Sequence, residues 1–95
     1  MQNHRAPLIL EGQVYYDTEK NAYLVVIKKN GDVVTYRGQA FNQVLGFRGM
    51  LEDEEFAVTF QPVDPVDLTQ SEKDELTSYC APGTKLKLGF IKEED

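Results

Sequence analysis

The dipeptide Asn30-Gly31, set between two runs of β-branched and aromatic residues, constrains this fold more than any other feature. Asn-Gly is the strongest short signal for a β-hairpin, because both central positions of a type I′ turn need a positive φ. The sequence therefore predicts strands over residues 22–29 and 32–37, with Lys29 opposite Asp32. In that register the core face carries Tyr23, Val25, Ile27, Val34 and Tyr36, and the outer face carries Leu24, Val26, Lys28, Val33, Thr35 and Arg37.

Three further segments alternate between apolar and polar residues, which is typical of half-buried strands. Residues 8–16 place Leu8, Leu10, Val14 and Tyr16 on one face and Ile9, Glu11, Gln13 and Tyr15 on the other. Residues 55–60 predict a strand with Phe56, Val58 and Phe60 inward. Residues 84–91 predict a last strand with Leu86, Leu88 and Phe90 inward. The predicted core includes Val25, Ile27, Val58, Leu86, Leu88 and Phe90.

Two segments have helical signals. Residues 40–48 predict one or two helical turns, limited by Gly46 and Gly49. Thr69 and Glu72 have the spacing of a capping box, which predicts a helix from residue 69 to about Tyr79. Pro82-Gly83 ends it.

These elements predict a mainly β domain. Five short, mostly antiparallel strands in a chain of 95 residues must hide their edges, and closure into a barrel does so. We expect a small five-stranded antiparallel barrel, OB-like or SH3-like, with one or two short helices. A curved sheet capped by the 69–79 helix is the alternative. One domain fills residues 1–95, with its core over about 8–92 and flexible ends at 1–6 and 93–95.

Composition limits the cellular compartment and the kinds of partner that we expect. No apolar stretch approaches the roughly 20 residues of a membrane helix, and residues 1–7 lack the apolar segment of a signal peptide. A single cysteine, Cys80, favours a reducing compartment, so we expect a cytoplasmic protein. The net charge is −6, but residues 1–50 hold six Lys and Arg against four acids. Residues 51–95 hold four Lys against twelve acids.

Residues able to carry catalysis are scarce, so we expect no enzymatic activity, no cofactor and no metal. The only histidine, His4, stands in the polar N-terminus with no nucleophile near it in sequence. Residues 52–55 are consecutive acids without EF-hand spacing, which is more typical of a solvated turn before a strand. Residues 46–49 lack the Lys-Ser/Thr of a phosphate-binding loop.

Aromatic and basic side chains are the remaining candidates for function. Tyr15 is predicted on the outer face of the first strand, beside the outer face of the hairpin. A base stacked on a ring contributes roughly 1–3 kcal/mol, and basic groups contact phosphates. The candidate nucleic-acid-binding residues are Tyr15, Lys28, Thr35, Arg37, Phe41, Phe47 and Arg48.

Three segments resemble the cold-shock domain. Residues 12–20 read Gly-Gln-Val-Tyr-Tyr-Asp-Thr-Glu-Lys, similar to the family's opening Gly-Lys-Val-Lys-Trp-Phe-Asn-x-Glu-Lys. Residues 32–36 read Asp-Val-Val-Thr-Tyr, similar to Asp-Val-Phe-Val-His-Phe. Residues 51–60 are similar to Leu-x-x-Gly-x-x-Val-x-Phe, shifted by one position. The resemblance implies a five-stranded OB-type barrel that binds single-stranded nucleic acid.

Two functions are therefore expected. The first is binding of single-stranded RNA or DNA on the outer face of the first three strands. The second is an acidic protein-binding module or inhibitor, of phage or regulatory type, that acts on a basic protein surface through its acidic second half.

Overall fold

The computed structural model describes residues 7–40 and 46–91, and its largest element is one β-sheet. The strands are β1 (Gln13–Asp17), β2 (Ala22–Asn30), β3 (Val33–Ala40), β4 (Phe47–Glu52), β5 (Gln61–Val63) and β6 (Lys87–Leu88). The helices are α1 (Asp53–Thr59) and α2 (Gln70–Ser78), and a 3₁₀ turn covers Pro65–Asp67. The prediction of a mainly β fold with short helices is confirmed.

The sheet is mixed and open within this part of the chain. Its order is β4-β3-β2-β1-β5, with antiparallel neighbours, and β6 pairs in parallel with β1. The two end strands, β4 and β5, have no pairing with each other among the residues described. The sheet has six strands rather than the expected five, and the last predicted strand shrinks from residues 84–91 to Lys87–Leu88.

The hairpin forms where predicted, but its register differs. Asn30 pairs with Val33, so Gly31 and Asp32 form the loop. Gly31 has a φ of 62°, which places glycine at the first central position as in a type II′ turn. The register is displaced by two residues, so Lys28 pairs with Thr35 rather than with Val33.

A β-bulge between Val26 and Lys28 then moves the rest of β2 by one residue. The side-chain period of a strand is two, so a shift of one residue exchanges the two faces. Leu24 and Val26 consequently lie with Val34 in one cluster, and Val25 lies in the other. The predicted division of β2 into a core face and an outer face was wrong, because both of its faces carry buried residues.

Each face of the sheet has its own hydrophobic cluster. The α1 face buries Ile9, Tyr15, Leu24, Val26, Val34, Phe56 and Phe60. The α2 face buries Val14, Val25, Leu68 and Leu76. The burial predicted for Val25 is confirmed, whereas Ile27 is only half-buried. Residues 8–16 do not form one strand, and Leu8 and Leu10 are exposed while Ile9 is buried.

Helix α1 replaces the strand predicted over residues 55–60. Phe56 and Phe60 are four residues apart and both buried, whereas Val58 is 76% exposed. This is the spacing of one helix face. The solvated turn expected at the consecutive acids does not form. Asp53, Glu54 and Glu55 lie in the first turn of α1, where the helix dipole stabilises negative charge. The predicted core positions Val58 and Leu88 were wrong, since Leu88 is 43% exposed.

Helix α2 confirms the capping-box prediction. The Thr69 hydroxyl accepts from the Glu72 backbone N–H at 3.1 Å, and Glu72 Oε1 accepts from the Thr69 N–H at 2.8 Å. The helical turns predicted over 40–48 were wrong for Phe47 and Arg48, which open β4. Residues 41–45 and the predicted flexible ends, 1–6 and 93–95, lie outside the described ranges.

Candidate functional site

Four of the seven predicted binding residues lie together on one side of strands β2, β3 and β4. Lys28 pairs with Thr35, and Arg37 pairs directly with Arg48. Arg37 is also opposite Val25, which belongs to the α2 face. We call this surface the basic face and define it as Lys28, Thr35, Arg37, Arg48 and Met50, the last being the cross-strand partner of Thr35.

The basic face is open because α2 covers only the other half of this side of the sheet. The sheet residues in the α2 cluster come from β1, β2 and β5. Lys28, Arg37 and Arg48 are exposed, and Met50 is 65% exposed. No carboxylate among residues 7–40 and 46–91 forms an ion pair with these three cations. Directly opposed like charges such as Arg37 and Arg48 are destabilising, so a bound anion would relieve a local repulsion.

Tyr15 does not belong to this surface, which corrects the prediction that it faces outward. Its side chain is fully buried on the α1 face, with its ring edge-on to Phe56 at a centroid distance of 4.6 Å. The hydroxyl donates to Gln13 Oε1 at 2.9 Å and accepts from the Phe90 N–H at 2.7 Å. Burial raises the pKa of Tyr15 to about 12. Tyr15 therefore cannot stack on a base.

The two predicted phenylalanines do not extend the basic face either. Phe47 is opposite Gly38 and packs, half-buried, against the α1 cluster. Phe41 lies outside the described residues. The ring that does adjoin the basic face is Tyr79, which the sequence reasoning missed as a site residue. The Arg37 guanidinium lies 4.4 Å from the Tyr79 ring centroid, a cation–π contact. The capping box at Thr69 and Glu72 places Tyr79 at the end of α2, but no local signal indicates its contact with β3.

A cleft of about 710 Å³ opens beside α2, between that helix, the end of the β1–β2 hairpin and the segment around and after β5. The Tyr16 and Tyr23 rings form part of its wall, with centroids 5.2 Å apart in an edge-to-face contact. No Lys, Arg or His of the described chain lines it. We call it the acidic cleft after the four carboxylates in its lining: Asp64, Asp67, Glu72 and Glu75.

Three of these carboxylates also have local structural contacts. Asp64 Oδ1 accepts from the Val66 N–H at 3.0 Å, and Glu72 belongs to the capping box. Glu75 Oε1 accepts from the Tyr79 hydroxyl at 2.7 Å. Each carboxylate keeps a second oxygen, so structural and binding roles are compatible. Burial, with the negative charges of Glu72 and Asp67, raises the pKa of Tyr23.

Tyr79 separates the two surfaces. Its hydroxyl contacts Glu75, which lines the cleft, and its ring contacts Arg37 of the basic face. The same hydroxyl lies 3.1 Å from Gln39 Oε1, in a side chain that lines the cleft. Burial is the main reason that the pKa of Tyr79 rises to about 12, and the Glu75 hydrogen bond adds to it. A strongly acidic and a basic surface thus meet at one side chain.

Metal-binding and nucleophilic groups are sparse in the same part of the chain. Among the described residues there is no group of three or more His, Cys, Asp or Glu side chains arranged to hold a metal ion. Cys80 is half-buried, and burial raises the pKa of its thiol, which disfavours the nucleophilic thiolate. No helix within these ranges is long and apolar enough to cross a membrane.

Comparison of the chain with protein-family models, with curated proteins and with solved structures finds no match in any of the three. The similarity of residues 12–60 to the cold-shock family therefore stays a prediction.

Proposed function

We propose that the protein is a non-catalytic module that binds single-stranded RNA or DNA through the basic face. The observation that supports this best is the direct cross-strand pairing of Arg37 and Arg48, with Lys28 on the same uncovered surface. Adjacent strands lie ≈ 4.7–4.9 Å apart, so three cations on three neighbouring strands can follow successive phosphates of one strand. Guanidinium groups suit this role because they bind phosphate oxygens in pairs.

The contacts in this proposal are to the nucleic-acid backbone. Tyr15 is buried and the Tyr79 ring is already in contact with Arg37, so the described residues offer no free ring beside the basic face as a stacking platform. Met50 offers an exposed apolar contact beside Thr35. Binding of this kind discriminates weakly between base sequences, because phosphate contacts carry no sequence information. An open sheet can present this surface, and closure into an OB-like or SH3-like barrel is not required.

The proposed setting is the cytoplasm. The single cysteine, Cys80, is a free thiol, and free thiols persist in reducing compartments.

Fluorescence anisotropy with a labelled oligonucleotide tests the proposal. The variants Arg48→Gln and Lys28→Gln each remove one exposed cation from the basic face, and Lys85→Gln removes an exposed cation elsewhere. Three phosphate contacts predict a slope of log K against log salt of about −2 for the wild type. Each of the first two variants should reduce that slope by about 0.7, and Lys85→Gln should leave it unchanged. Equal effects of all three variants, or no binding at low salt, would contradict the proposal.

A second candidate function is supported by a different observation. The acidic cleft combines a concave shape with four carboxylates and no lining cation among the described residues. This favours an acidic module that binds a basic protein partner, because charge complementarity steers association and selects partners. Reversing one charge with Asp67→Lys should weaken such a contact and leave oligonucleotide binding intact. An unchanged affinity for the basic partner would exclude the cleft as its binding surface.

A further inference from the structure

We infer that the acidic cleft binds an arginine side chain presented by an extended basic segment of a partner protein. This inference rests on the second candidate function and is independent of the basic face. It names the group that the cleft recognises.

The shape of the cleft fits a peptide segment better than a lone ion. Its volume of about 710 Å³ lies within the range of ligand pockets, ≈ 300–1,000 Å³. An arginine side chain with its flanking backbone fills a space of this kind. A concave wall with one sign of charge also concentrates the electric field, which increases the local concentration of cations.

The chemistry of the wall favours a guanidinium group. Arginine stacks on aromatic rings and binds carboxylates with two parallel hydrogen bonds, which a lysine ammonium cannot do. Tyr16 and Tyr23 supply the rings. The Tyr16 hydroxyl donates to the Asn21 side chain and the Tyr23 ring packs half-buried against the α2 cluster, so both rings are held in place.

Two carboxylates are the best placed to accept from the ligand. Asp67 is exposed and makes no side-chain hydrogen bond or ion pair within residues 7–40 and 46–91. One oxygen of Glu75 accepts from the Tyr79 hydroxyl, which fixes the carboxylate and leaves the other oxygen available to a ligand. Arg37 lies against the Tyr79 ring and forms no ion pair with Glu75. Within residues 7–40 and 46–91, no cation lines the cleft to neutralise its carboxylates.

An NMR titration of the ¹⁵N-labelled full chain tests the inference. The probe is the peptide Gly-Arg-Gly-Arg-Gly with blocked ends, and the matched control peptide carries citrulline, a neutral isostere of arginine. We expect saturable shifts at the amides of Tyr23, Glu72 and Leu76 with the arginine peptide only. The double variant Asp67→Asn/Glu75→Gln should weaken binding about 5- to 25-fold, on the scale of two partly exposed ion pairs. Glu54→Gln, an exposed carboxylate in α1, should leave the affinity unchanged.

Several results would overturn the inference. Equal binding of the citrulline peptide would show that the cleft does not recognise the positive charge of arginine. This comparison uses only the wild-type protein, so it does not depend on whether a variant folds. Shifts that map to α1 would move the site to another acidic surface. Equal weakening by Glu54→Gln and the double variant would indicate a net-charge effect. Oligonucleotide binding is measured on the same samples, so failure of the arginine peptide and failure of the basic face are separate outcomes.

Discussion

Replacing Tyr15 by phenylalanine should destabilise the protein by about 1–3 kcal/mol, because the lost hydroxyl bonds both the Gln13 side chain and the Phe90 backbone. The ring and its contact with Phe56 remain, so no cavity of side-chain size forms. Gln13 Oε1 still accepts from the Leu10 N–H at 2.9 Å, so losing the Tyr15 hydroxyl as a second donor costs little free energy. The Phe90 N–H, which donates to Tyr15 at 2.7 Å, is left without its partner in a half-buried position. That unsatisfied donor accounts for most of the expected loss.

Urea unfolding followed by far-UV circular dichroism measures this loss at pH 7, and hydrogen exchange at the Phe90 amide reports the same contact locally. For a domain of this size, 1 kcal/mol lowers Tm by roughly 4–8 °C. Tyr16→Phe is the matched control, since the Tyr16 hydroxyl bonds an exposed Asn21 side chain, and it should change stability by less than about 0.5 kcal/mol. A loss below about 0.5 kcal/mol in Tyr15→Phe, with unchanged Phe90 exchange, would refute this reasoning.

Alkaline pH gives an independent measurement of the same hydroxyl. Burial raises the pKa of Tyr15 from 10.0 to about 12 in the folded state. Between these values the folded protein keeps a proton that the unfolded chain releases, so stability should fall as the pH rises from 10.0 to about 12. One such group contributes a slope of up to about 1.4 kcal/mol per pH unit. Tyr15→Phe should make this loss of stability with pH shallower. The raised pKa of Tyr79 should account for the part of the loss that remains. Identical slopes would show that Tyr15 titrates normally.

Three further predictions test the elements around the site. Phe56→Ala should cost about 3–5 kcal/mol in urea unfolding, whereas Val58→Ala should stay within about 0.5 kcal/mol. A clear loss of stability at both positions would favour the predicted strand, in which both side chains face inward. Thr69→Ala should cost about 1 kcal/mol through the lost N-cap, with Thr69→Ser as a near-neutral control; equal values would contradict the capping box. Gly38→Ala should destabilise the sheet in thermal unfolding, because a Cβ there would lie 2.8 Å from the Phe47 ring and clash with the Tyr23 carbonyl; an unchanged Tm would contradict that close approach.

Turns and caps could be read from the sequence because they are satisfied within a few residues. Asn30-Gly31 predicted the hairpin, and Thr69 with Glu72 predicted the start of α2, since each signal concerns backbone groups of its own segment. The common face of Lys28, Thr35 and Arg37 was also predictable. From the turn to Lys28 the observed register differs by two residues, and a displacement of two leaves the alternation between faces unchanged.

Packing decided the elements for which the sequence pattern fits two structures. Phe56, Val58 and Phe60 satisfy the alternation of a strand, and Phe56 with Phe60 also satisfies the spacing of a helix. The α1 cluster selects the helix, because Phe56 then contacts the buried Tyr15 ring and Phe60 contacts the half-buried Tyr36 ring. Tyr15 lies inward for a related reason. β1 has neighbouring strands on both sides and clusters on both faces, so its alternation does not indicate which face is solvated.

The candidate sites depend on contacts that no local pattern encodes. Arg48 reaches Arg37 only because β4 pairs with β3, and the bulge near Ile27 sets which β2 residues lie beneath α2. The acidic cleft joins the β1–β2 hairpin to α2, segments about fifty residues apart in the chain. The sequence by itself determined the charges, the hairpin and the capped helix, because these depend on neighbouring residues. The tertiary structure decided which charges face the same space, because that depends on how distant segments pack.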